Sequence, residues 1–134
     1  MSIAGLVAIA FTGLTVALFR GCFDHGTFEV KSVVWSSAGR AAIVAERSDH
    51  EALNSDEYFV FVDDHAPSVD EVRSALYSSR PVFSSSSPCV TTRWKDASHL
   101  VVFCRDGEID KRHINGHKDR AGDVVVEFEG IRMQ

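Results

Sequence analysis

The chain opens on its longest apolar run. Residues 1–19 carry no charged side chain, and Ile3 to Phe19 is interrupted only by Thr12, Thr15 and two glycines before Arg20-Gly21-Cys22. At about 1.5 Å per residue, a helix of this length nearly crosses a hydrocarbon core ~30 Å thick. The pattern therefore predicts an N-terminal hydrophobic helix over residues 1–21 that contacts the membrane through residues 3–19. Three forms of it fit. An uncleaved single-span anchor fits the length, and a cleaved secretory signal fits the apolar h-region, although Met1-Ser2 is a poor basic n-region. A lipoprotein signal would use Cys22, where Gly21-Cys22 has the form of a lipobox end but Phe19 and Arg20 depart from its aliphatic and small positions.

Residues 22–134 read as one domain built mainly of strands. Glu29–Trp35 and Ala41–Glu46 alternate around Ser36–Arg40, which predicts a hairpin with Gly39 at a positive φ. Tyr58–Val62 is an unbroken run of β-formers and reads as a central strand. Ser68-Val69-Asp70-Glu71 is a capping-box sequence that opens the only clear helix, with Val69, Val72, Ala75 and Leu76 as its apolar face and an end near Ser78, before Pro81. Ser84–Ser87 reads as a polar loop, Asp106 to Asp123 as a polar stretch, and Val124–Phe128 as the last strand. The expected fold is α+β: a mainly antiparallel sheet of five to seven strands, with one short helix on a face or edge.

The cysteines sharpen the picture. Val90–Trp94 and His99–Phe103 read as paired strands around Lys95–Ser98, and a four-residue loop there, or a two-residue loop at Asp96-Ala97, sets Trp94 opposite His99. Counting outward places Cys89 opposite Cys104, within disulfide reach. Of the three cysteines, Cys22 is then unpaired at the membrane boundary and becomes the candidate lipidation residue. A disulfide favours an extracytoplasmic domain, whereas Arg20 and Lys31 beyond the apolar run mildly favour the opposite orientation.

Composition removes some functions. A net charge of −5 disfavours nucleic acid, whose phosphates demand a basic face. No glycine-rich phosphate loop and no nucleophile elbow occurs, so no catalytic residue and no cofactor is assigned. The densest polar cluster runs from Asp110 to Asp119. His113 and His117 are spaced as zinc ligands would be on a helix, with Asp110 or Asp119 as a third ligand, although Asn115-Gly116 between them marks a turn. Asp63-Asp64-His65, at the end of the central strand, is a second set able to bind a cation or exchange protons; a polar loop leading to the helix cap accounts for it more simply.

The stretch Val33-Val34-Trp35-Ser36-Ser37-Ala38-Gly39-Arg40-Ala41-Ala42-Ile43-Val44 resembles the W-S-P-D-G-R hairpin of β-propeller blades, with Ser37-Ala38 in place of Pro-Asp. Together with Trp94-Lys95-Asp96-Ala97-Ser98-His99-Leu100-Val101-Val102, it is also similar to small membrane-anchored bacterial proteins of uncharacterised function. A complete propeller needs about four blades or more, beyond this length. The resemblance implies a compact β-rich domain behind an anchor and carries no site residue. The leading expectation is a non-enzymatic, envelope-anchored domain that binds another protein as an inhibitor, immunity factor or accessory subunit. Its contact surfaces would be strand edges and the loops Arg47–Asp56 and Asp110–Asp123. The alternative is a metal-binding module or metal-dependent enzyme using His113 and His117.

Overall fold

The computed structural model describes residues 26–49 and 56–133. The apolar segment 1–21, Cys22 and most of the loop between Arg47 and Asp56 lie outside the described residues. Among the described residues no helix is long and apolar enough to cross a membrane.

Among the described residues, nine strands and one α-helix form three layers. The first sheet has the order β1 (Thr27–Trp35), β2 (Ala41–Ser48), β3 (Glu57–Asp63), β4 (Phe83–Ser85), β7 (Ile114–His117), all antiparallel. The second has the order β5 (Val90–Asp96), β6 (His99–Cys104), β9 (Val124–Glu129), β8 (Arg120–Ala121), with β6 and β9 parallel. The α+β class and the mainly antiparallel pairing hold. The strand count exceeds the expected five to seven, and the strands divide between two sheets.

Alternation along β2 and β3 explains the layering. Ala41, Ile43, Ala45, Phe59 and Phe61 point to one face and pack with Phe28, Val72 and Ala75 beneath the helix α1 (Val69–Leu76). Ala42, Val44 and Val60 point to the other face and meet Leu100, Val102, Val124 and Val126 of the second sheet. With both faces covered, these strands read as unbroken apolar runs.

α1 begins as its sequence demands. Ser68 Oγ accepts from the Glu71 N–H at 3.2 Å and Glu71 Oε1 accepts from the Ser68 N–H at 3.4 Å, closing the capping box. The buried face is Val72 and Ala75, with Leu76 beside it. Val69, expected on that face, is 56% exposed because it sits in the first turn, beyond the residues that cover Phe59 and Phe61. The helix stops at Leu76, two residues short of Ser78.

The hairpins hold to their expectations with one shift. Gly39 has φ +75°, and Ser36 Oγ accepts from the Ala38 and Arg40 N–H groups. In the β5–β6 hairpin, a bulge at Lys95 sets Trp94 opposite Leu100 and Asp96 opposite His99, so the loop is Ala97-Ser98. Cys104 consequently faces Val90, one place from the expected register, yet Cys89 in the preceding turn still bonds Cys104, with the Cα atoms 4.9 Å apart. The bulge lies between the turn and the cysteines, so it displaces the ladder without parting the pair.

Two expectations yield to tertiary pairing. The serine-rich stretch supplies β4, whose Phe83 and Ser85 are fully buried. Asn115-Gly116 is no turn but lies inside β7, with Gly116 paired to Ser84. Trp94 Nε1 donates to Val34 O at 2.8 Å and ties β5 to the rim of β1.

Phe59→Ala removes a fully buried ring and is expected to cost about 3–5 kcal/mol, and Cys89→Ser with Cys104→Ser about 2–4 kcal/mol. Urea unfolding of the oxidised protein and the variants measures both.

Candidate functional site

The register sets Trp35 beside Ala41 and Ala41 beside Asp63 on one row across β1, β2 and β3. Ala41 belongs to the core under α1, so Trp35 and Asp63 share that face. At about 4.8 Å per strand they stand about 10 Å apart. The row is the last before the loops, and α1 does not cover it all: Trp35 is 50% exposed. Arg40, in the turn after Trp35, pairs through both guanidinium ends with Asp123 in the β8–β9 turn, Nη2 lying 2.6 Å from Oδ2. This pair ties together the loop ends of the two sheets.

On the other flank of the row, carboxylates gather around an imidazole. His65 Nδ1 lies 2.6 Å from Asp64 Oδ1 and 3.2 Å from Asp63 Oδ1, while Nε2 contacts the Glu71 carboxylate. Asp63 is nine-tenths buried at its side chain and receives Arg80 Nη2 at 2.8 Å, with the Arg80 guanidinium 5.1 Å over the Phe61 ring. The hydrogen bonds to Asp64 and then Glu71 outweigh desolvation and raise His65 to a pKa of about 9. The same contact with His65 lowers Glu71. Burial pushes the Asp63 carboxyl up, but Arg80 and the Asp64 backbone N–H prevail and hold it below the usual range. The imidazolium and Arg80 thus offset three carboxylates at the mouth of β3.

Asp63, His65 and Glu71 are also the described residues that could hold a divalent cation, since one ligand atom from each lies within 4.8 Å of the others. Such an ion would compete with the proton that the carboxylates favour on His65. The sequence brought forward Asp63, Asp64 and His65 but not Glu71, whose place in the capping box hid its second contact. Asp110, His113, His117 and Asp119 form no such group among the described residues. β7 is extended, so four residues span about 13 Å. Asp110 instead caps the Lys111–His113 turn, His113 Nδ1 meets Ser86 Oγ at 3.2 Å, and the His117 ring lies edge-on to Phe128.

At the opposite end, a cleft of about 370 Å³ is bounded by Lys31, Tyr58, Cys89 and Thr91. Lys31 Nζ lies 2.7 Å from Glu46 Oε2, which lowers the Glu46 pKa, and burial raises that of Tyr58. Against known proteins, the chain matches no family model, no curated protein and no solved structure.

His65 supplies a test of pH dependence. Its pKa is raised from the ordinary imidazole value of about 6.5 to about 9, so its contribution to stability is complete below about pH 6.5 and is lost as pH rises through 9. The imidazole is expected to titrate near pH 9 by NMR, and His65→Gln to lessen the loss of thermal stability across that window.

Proposed function

We propose that this chain is a non-enzymatic β-domain, carried on an N-terminal membrane-targeting segment on the extracytoplasmic side, and that it acts by binding another protein at the loop end bearing Trp35. The observation that carries this reading is Trp35 itself, a large aromatic side chain left half exposed by the fold. Tryptophan and arginine dominate the energetics of protein interfaces, where an aromatic anchor sits inside a polar rim. Here the rim is Arg40 with Asp123 on one side and His65 with Asp63 and Glu71 on the other. Surface loops on a rigid sheet are the usual carriers of such contacts, and Trp35 is held by a β1–β2 turn whose geometry Ser36 and Gly39 set.

The Cys89–Cys104 bond supports the extracytoplasmic placement, because such bonds persist in oxidising compartments. An inhibitor, immunity factor or accessory subunit would each fit a domain of this kind. Recovery of a stoichiometric partner from membranes with the full chain is the expected result. Trp35→Ala is expected to lower that recovery at least about tenfold, while the melting temperature stays within a few degrees of wild type. Undiminished recovery with Trp35→Ala would move the interface elsewhere.

A further inference from the structure

Beside the Trp35 row, on the far side of Arg80, lies an open cleft of about 290 Å³ lined by Val62, Ser79, Arg80, Lys118, Arg120, Ala121 and Gly122. Its charged lining residues are all cations, in a chain whose net charge is −5. They come from two segments: Arg80 follows α1, while Lys118 and Arg120 lie two residues apart where β7 passes into β8. Backbone hydrogen bonds fix these segments together, since the Val82 N–H donates to Val60 O and the Lys118 N–H to Val82 O, both at 2.8 Å.

Two of the three cations of the cleft are offset by no carboxylate of their own. Several cations elsewhere face carboxylates, as Lys31 faces Glu46, Arg93 faces Glu129 and Arg132 faces Glu108. Among the described residues neither Lys118 nor Arg120 is in an ion pair. The Lys118 ammonium donates to a neutral carbonyl, Ser79 O. The field of Arg120 reaches Asp123, but both oxygens of that carboxylate are held by Arg40. Arg80 shares Asp63 with His65. Asp119 lies between Lys118 and Arg120 in sequence but is not among the lining residues.

We infer that this cleft binds an oxyanion of the phosphate class, held by Arg80, Lys118 and Arg120. Guanidinium and ammonium groups recognise such anions by charge-assisted hydrogen bonds, and Arg offers a planar fork for two oxygens. The phosphate can belong to a free small molecule or to an anionic lipid headgroup. The assignment rests on the charge and geometry of the cleft and does not depend on a protein docking at Trp35.

The test uses the full chain, isotopically labelled, in nanodiscs of neutral phosphatidylcholine, with backbone amides followed by NMR. Titration with inorganic phosphate, against chloride at matched ionic strength, is expected to shift the Arg80, Lys118, Arg120 and Gly122 amides saturably, with a dissociation constant of about a millimolar, as befits an open and solvated site. A lipid source would instead shift the same amides when phosphatidylglycerol replaces part of the phosphatidylcholine, with no phosphate added. Arg120→Glu, at an exposed position, is expected to weaken either response at least about tenfold, and Arg120→Gln serves as a second variant with no reversed charge to disturb the fold. If neither phosphate nor anionic lipid moves these amides, or if Arg120→Glu leaves the response unchanged in a folded protein, the assignment is overturned.

Discussion

Ala41–Ala45 and Phe59–Phe61 lie in adjoining strands with apolar side chains on both faces, and the rest of the architecture answers to that constraint. A sheet apolar on both sides must be covered twice, since each fully buried valine or phenylalanine side chain stabilises by about 1.5–3 kcal/mol only while water is excluded. The second sheet covers one face. α1, only eight residues long, covers the other but does not reach all of its last row. The half-exposed Trp35 and the charged groups around Asp63 are consequences of that short cover.

The same constraint decided what could be read in advance. Where a residue's local role and its place in the fold coincide, the sequence was sufficient. Gly39 occupies the positive φ its turn requires, Ser68 and Glu71 close the capping box, and Tyr58–Val62 is central because only a strand buried on both faces is apolar throughout. The cysteine bond was legible because a hairpin confines both residues, even though the Lys95 bulge moved the ladder by one place.

Elements defined by a distant partner were not legible. Phe83–Ser85 is a strand because Val60 and Phe59 lie beside it, and Asn115-Gly116 is extended because Ser84 pairs with it. Neither segment announces this in its own composition. The same holds for the site: Asp63 and His65 were visible as a pair, but Glu71 joins them only because α1 folds back over the end of β3. The helical zinc spacing of His113 and His117 was a pattern without its helix, and an extended strand keeps the two rings apart.

One end of the molecule therefore gathers the half-exposed Trp35, the imidazole with its carboxylates and the cations Lys118 and Arg120, while the opposite end closes around the Cys89–Cys104 bond and the Lys31–Glu46 pair. The central claim is that the first of these ends is the working face. Photocrosslinking in intact membranes tests it most directly, with a light-activated residue placed at the exposed Ser37, in the turn beside Trp35, in one version of the full chain and at the exposed Asp106 in another. The account predicts a discrete adduct of defined mass from position 37 and none from position 106. An adduct from position 106 alone, or equal labelling from both, would contradict it.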